Sequence, residues 1–216
     1  MVLAGINIEV ISDFACPWCF IGKRRLQQAI AQRPDLNISV TWLPYQLNHD
    51  MPREGRNRRE YYLQKFGAKG ATDLRRKLTE AGVEEGIAFC DEQDAIAPNT
   101  LSAHVLMRWA QQDSTVDVNL LSDKLLQAHH IDCENIGDQD VLVRVAEECG
   151  MTAENVSEKL RTGDDEDVVK ESIQQSAARG VSGVPFFILN NEHGISGAQP
   201  AEALVEIFDQ IMASQP

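Results

Sequence analysis

No stretch of the sequence approaches the roughly 20 consecutive apolar residues that span a bilayer, so no transmembrane segment is expected. The opening residues, MVLAGINIEVISD, lack the basic region, long apolar stretch and small-residue cleavage site of a secretory signal, which points to a cytoplasmic protein. Cations are in short supply: 20 Lys and Arg stand against 33 Asp and Glu, a formal charge of −13. Affinity for phosphate comes from clustered basic residues, so neither nucleic acid nor a membrane surface is expected as a partner. The one basic cluster, REGRNRREYY at 53–62, reads as a solvated loop and helix face, with an anion-holding site as the alternative. No fixed-period repeat is present, which argues against a solenoid.

Paired cysteines are scarce too. Cys16, Cys19, Cys90, Cys133 and Cys149 are an odd number in a chain with no secretion signal, so a structural disulfide framework is not expected. Only Cys16 and Cys19 are close in sequence. A structural zinc site usually takes its remaining ligands from a second close pair, and there is none. His129, His130 and Cys133 lie more than 100 residues away in a helical run, so no metal site is assigned. Cys90, Cys133 and Cys149 read as small core hydrophobes. Adjacent His129 and His130 point to different faces of a helix, one packed and one solvated.

With 43% hydrophobic and 25% charged residues, the chain has the makings of a soluble globular protein, and its 216 residues suggest one domain with a large insertion. Residues 6–12, INIEVIS, alternate apolar and polar positions as a strand does. A helix follows over 20–31, and a second strand over 38–47 in which Pro44 weakens pairing. Together they make a βαβ unit with parallel strands. From about 58 to 179 the sequence turns rich in Leu, Ala, Glu and Gln, with breaks such as KFGAKG, AIAPNT, QDSTVD and ECGMT. This block reads as a series of helices. Strand character then returns at 184–189, with a tight turn at Asn190 and Asn191 and a weaker strand over 193–196, before a final helix in PAEALVEIFDQIMA.

The Cys-x-x-Cys pair therefore sits where a strand feeds a helix. Amides at a helix start have no intrahelical partner and the macrodipole is positive there, which favours a thiolate at Cys16. Cys16 is thus expected ionised and exposed at the helix tip. Pro17 suits the first turn because it has no N–H to lose. Cys19 lies one turn on along the same face, close enough to attack a mixed disulfide at Cys16. Far away, Pro185 stands at the entrance to an apolar strand, where a cis proline would face the dithiol and leave neighbouring backbone free for an extended substrate; a trans proline on an edge strand is the alternative.

Asp13, Phe14, the Cys16-Pro17-Trp18-Cys19 run, Ile21, Gly22, the 183–187 segment GVPFF and the 196–200 segment SGAQP together resemble the FrnE-type branch of the DsbA family of thiol-disulfide oxidoreductases. The resemblance covers the whole chain. It implies an α/β thioredoxin-like fold made of residues 1–47 and 180–216, with an all-helical domain inserted at 48–179. It implies Cys16 as nucleophile, Cys19 as resolving thiol and Pro185 as the cis proline, with Pro17, Trp18 and Val184 forming the substrate-binding surface. The Pro-Trp dipeptide departs from the Pro-His of periplasmic DsbA, so strong oxidase character does not follow. The implied partners are protein or small-molecule thiols and disulfides, with glutathione as redox partner and no tightly bound cofactor, and the implied assembly is a monomer or homodimer. Two alternatives stay open. One is a glutathione-dependent isomerase or transferase of the 2-hydroxychromene-2-carboxylate isomerase or kappa type, which generally carries serine where Cys16 stands. The other is a protein-binding chaperone using an apolar groove around Trp18 and Phe186.

Overall fold

The computed structural model describes residues 5–91 and 94–214. The chain opens with β1 (Gly5–Ser12), α1 (Pro17–Gln32) and β2 (Asn37–Pro44). It continues through β3 (Arg56–Asn57), α2 (Arg58–Glu84), β4 (Ile96–Ala97), α3 (Leu101–Gln112), α4 (Val118–His130), α5 (Gln139–Glu148), α6 (Ala153–Thr162) and α7 (Glu166–Ala178). It closes with β5 (Phe186–Leu189), β6 (His193–Ser196) and α8 (Ala201–Ser214). β1 pairs with β2 in parallel and with β5 antiparallel, giving the strand order β2-β1-β5-β6. This is the expected α/β thioredoxin-like fold with a helical insertion.

Alternation in β1 places Ile6, Ile8 and Val10 in the main core with Phe20, Leu26, Phe187 and Phe208, and Ile11 on the other face with Val181 and Ile188. Each such side chain, fully buried, contributes about 1.5–3 kcal/mol. The turn after β5 uses left-handed backbone at Asn190 and Asn191, with φ of 50° and 61°. Asn190 also fixes the start of β1, its side-chain oxygen accepting from the Asn7 N–H at 2.8 Å.

Several expectations need correction. The break at KFGAKG is a kink, not an end: Gly67 takes φ 69° inside α2. The strands β3 and β4 carry no signal in the sequence, because a ladder of two residue pairs is too short to show periodicity. The 184–189 strand starts two residues later, at Phe186, so Val184 and Pro185 precede it. Cys90 and Cys133 are not separate core residues but a disulfide, with Cα atoms 5.7 Å apart, joining the segment after α2 to the loop after α4. Cys149 is free and buried. His129 and His130 are both buried, because the loop after α4 folds back over one ring and the loop before α1 covers the other.

The insertion is tied to the thioredoxin part through charge. Lys23 on α1 is buried, and its Nζ lies 2.8 Å from Asp123 on α4 and 5.8 Å from the Trp42 ring centroid. Burial pulls the Lys23 ammonium down from its ordinary value while Asp123 pushes it back up. Removing one member of such a pair leaves a desolvated charge behind. Asp123→Asn should therefore lower the stability by about 3 kcal/mol, and the double variant Lys23→Met, Asp123→Leu much less. Urea unfolding of the three proteins checks the difference.

Candidate active site

Beyond β1 the chain makes a tight loop over 13–16 that is organised by one carboxylate. Asp13 accepts hydrogen bonds from the backbone N–H of Ala15 at 3.1 Å and of Leu47 at 2.8 Å, while its carbonyl accepts from the Cys16 N–H at 3.0 Å. His104 of α3 brings Nε2 to 3.7 Å from the Asp13 carboxylate and 3.0 Å from the Tyr45 carbonyl. Burial pushes the Asp13 carboxyl up, but the His104 ring and the two amides outweigh it and hold it below its ordinary value. On the neighbouring residue, His130 of α4 sets Nε2 2.9 Å from the Phe14 carbonyl. Burial, with His129 and Arg58 nearby, drives the His130 imidazole well below its usual range, so this ring is neutral and donates Nε2–H.

Cys16 is the N-cap of α1 and Pro17 its first residue. The Cys16 side chain makes no capping hydrogen bond; its thiol donates to the Val184 carbonyl at 3.5 Å. The Val184–Pro185 bond is cis. Pro185 packs so tightly on α1 that a Cβ at Gly22 would lie 2.8 Å from its Cγ. The sites predicted at opposite ends of the sequence thus meet in space: Cys16, Cys19, Val184 and Pro185 form one cluster, with Pro17 and Trp18 on the first turn beside it.

The expected exposure of Cys16 is not found. The residue is only 4% exposed, because Val184 lies against its sulfur. Cys19 is buried still more deeply, at 2%. Burial first, then the adjacent Cys16, raises the Cys19 thiol well above its ordinary value, with the Ser12 hydroxyl pulling the other way. Both sulfurs are free, so the dithiol is in its reduced form. Trp18 packs on the main core and Phe186 on the opposite face with Ile11 and Val184, in separate apolar clusters.

Beside the first turn of α1 lies a chamber of about 490 Å³, lined among others by Pro17, Arg58, Tyr62, Phe89, Cys90 and His130. The 53–62 cluster is therefore not simply a solvated face: Arg58, Arg59 and Tyr62 look into this chamber. Tyr62 is within electrostatic reach of Cys16; burial pushes its phenol up to about 12, against the pull of Arg58. Tyr62 and Arg58 carried a signal in the mix of cations and aromatics at 53–62. His104 carried none, being a single histidine on an apolar helix face, and the adjacent His129 and His130 signalled only that one of the two would be packed.

A Cys-x-x-Cys on the tip of a helix, packed beside a cis proline at the end of a mixed sheet, defines the thioredoxin class of architecture. The chain belongs to the DSBA-like thioredoxin domain family, whose model matches residues 7–209. It is 23% identical over 215 residues to the Bacillus subtilis protein YwbO, covering 97% of each chain. A probable DsbA oxidoreductase from Streptomyces coelicolor is 27% identical with a TM-score of 0.87, over 98% of this chain and 92% of that one. The cytosolic disulfide reductase DsbM from Pseudomonas aeruginosa, solved with GSH, shares the fold at 16% identity and a TM-score of 0.63, over 95% of this chain and 99% of that one.

Two substitutions test the construction of the site. Alanine in place of glycine inside a helix ordinarily stabilises by about 1 kcal/mol. Gly22→Ala should instead destabilise by about 1–3 kcal/mol, since its methyl must displace Pro185, and should speed alkylation of Cys16 as the loop shifts. Asp13→Asn should cost about 2 kcal/mol at neutral pH by weakening hydrogen bonds to a charged acceptor. Because the native carboxyl sits below its ordinary 3.8, its stabilisation is present above that value and is lost as pH falls through the lower native one. Wild type and variant should therefore converge in acid, as read by chemical unfolding at a series of pH values.

Proposed function

We propose that the protein is a thiol-disulfide oxidoreductase that works through the Cys16-Pro17-Trp18-Cys19 dithiol. The observation that carries this reading is the approach of the Cys16 sulfur to the Val184 carbonyl, beside Pro185 and Cys19, in a DsbA-like fold. Cys16, as thiolate, attacks one sulfur of a substrate disulfide: a Cys16–substrate bond forms, the substrate S–S bond breaks, and one substrate thiolate leaves. Cys19 then gives up its proton and attacks Cys16, releasing the second substrate thiol and closing the Cys16–Cys19 disulfide. Electrons run the other way when substrate thiols meet the oxidised pair.

The unequal environments of the two sulfurs support this order. Cys19 holds its proton while Cys16 is a neighbouring thiolate, so it does not compete for the substrate. Once Cys16 is tied up in a mixed disulfide, that repulsion is gone, and the Ser12 hydroxyl and the Asp13 backbone amide favour the Cys19 thiolate. Pro17, Trp18 and Val184 are the substrate-contacting surface in this reading, with Val184 exchanging its contact with the Cys16 thiol for one with substrate.

Glutathione is the small thiol we assign as redox partner. Arg58 and Arg59 give the chamber beside Pro17 cationic walls in an otherwise acidic protein, which suits a carboxylate-bearing thiol. The relationship in fold to a cytosolic disulfide reductase solved with GSH supports the same assignment, and a cytoplasmic setting with it. The sequence motifs at 13–22 and 183–187 support placement in the FrnE-type branch.

Insulin reduction with glutathione as electron source tests the mechanism. Cys16→Ser should fall to the uncatalysed background, and Cys19→Ser should accumulate a mixed disulfide at Cys16 that intact-mass spectrometry detects. Full activity in Cys16→Ser would sink the proposal. A glutathione-dependent isomerase, by contrast, would keep its turnover without Cys19.

A further inference from the structure

The Cys90–Cys133 disulfide has no part in the exchange just described, yet it stands on the wall of the same chamber. Cys90 and Pro17, the residue that follows Cys16, both line that space. Both cysteines are half-buried, so neither sulfur is sealed in a core. Arg58 places Nη2 3.1 Å from the Cys90 sulfur and 3.4 Å from the Cys133 sulfur. A guanidinium there favours the thiolate that departs when a disulfide is attacked. We propose that Cys90–Cys133 is a second thiol-exchange centre, a disulfide on the chamber wall that takes two electrons from low-molecular-weight thiols admitted beside the dithiol.

The local backbone can survive the opening of the bond. The Cys90 N–H donates to the His130 carbonyl at 2.8 Å, Arg58 Nη2 reaches the Cys90 carbonyl at 3.3 Å, and the Arg58 N–H donates to the Ala95 carbonyl at 2.7 Å. The segment after α2 is therefore held by hydrogen bonds as well as by sulfur. A disulfide in a reducing compartment is more often transient and reactive than structural, and this one has the access and the leaving-group support that exchange requires.

The chemistry balances with thiols alone. A first thiolate attacks the sulfur of Cys90, the residue of the pair that lines the chamber; a bond to Cys90 forms, the Cys90–Cys133 bond breaks, and the electron pair leaves on Cys133 beside Arg58, where it takes up a proton. A second thiolate attacks the sulfur of the first thiol, releasing a small-molecule disulfide and leaving Cys90 as a thiol. Two thiols are oxidised to one disulfide, and Cys90 and Cys133 are reduced. The state of the pair is also positioned to reach the active-site loop, because the same His130 that accepts from Cys90 donates to Phe14.

The proposal does not depend on the role given to Cys16, and the test separates the two. The full-length wild type and a Cys16→Ser, Cys19→Ser double variant are equilibrated in mixtures of reduced and oxidised glutathione, quenched in acid, alkylated, and mapped by peptide mass, with circular dichroism reporting that each stays folded. Cys90–Cys133 should pass reversibly between disulfide and dithiol in both proteins. Arg58→Met should slow the approach to equilibrium several-fold, and Arg58→Lys should restore it. Reduction only after the protein is unfolded would make the bond a structural staple and overturn the proposal. So would a pair that stays as thiols in every oxidising mixture, loss of exchange in the double variant, or an unchanged rate in Arg58→Met.

Discussion

The pairing of β5 with β1 brings distant parts of the chain together and sets one contact at the site: the Cys16 thiol against the Val184 carbonyl, across 168 residues of sequence. For it to form, β5 must pair with β1, which carries Val184 and Pro185 to the end of the sheet where β1 hands over to α1. The helix must also come close, and Gly22 allows this by presenting no side chain to Pro185. Sheet register, helix start and loop position are thus fixed together. A one-residue slip of β5 on β1 would turn Phe187 and Leu189 out of the main core, so hydrophobic burial enforces the geometry that the sulfur chemistry uses.

The helical insertion contributes polar struts as well as a cover. His104 from α3 meets Asp13 and Tyr45, and His130 from α4 meets Phe14, so two imidazoles from separate helices of the insertion hold consecutive residues of the loop that leads to Cys16. Buried polar groups are costly unless paired, and here each has a partner whose position matters to the site. Lys23, two turns into α1, and Asp123 join that helix to α4 by an ion pair. An insertion bound only by apolar contact could slide by a fraction of an ångström at little cost. One bound through directional hydrogen bonds to a three-residue loop holds that loop in register.

Much of this was legible in the sequence. Alternation gave β1, the asparagine pair gave the turn before β6, and the strand-to-helix position of Cys16 and Cys19 together with a remote Val-Pro pointed to residues that lie together in the fold. What could not be read has a common physical character. The Cys90–Cys133 bond, the two buried histidines and the inward-facing Arg58 all depend on where helices of the insertion dock, and the covered Cys16 on how closely the segment before β5 approaches α1; both are decided by shape across many residues, with no local periodicity to mark them. The 53–62 segment shows the limit well: its composition is that of a solvated surface, and only the path of α2 past Pro17 turns part of it towards a cavity. Cys90 and Cys133, 43 residues apart with unremarkable neighbours, could be paired only once α2 and α4 were placed.

The difference between the Cys16 and Cys19 sulfurs follows from the same architecture. Cys16 sits at the boundary between helix and loop, where its thiol meets the Val184 carbonyl. Cys19 sits a turn inside α1, under the core face that buries Phe20 and Ile21. Burial disfavours the Cys19 thiolate. Ser12 and the Asp13 amide offset part of that cost, and both stand at the end of β1, the segment whose pairing with β5 brings Val184 to Cys16 in the first place. One strand end therefore serves both sulfurs: its pairing with β5 sets the contact at the first, and its terminal polar groups temper the burial of the second.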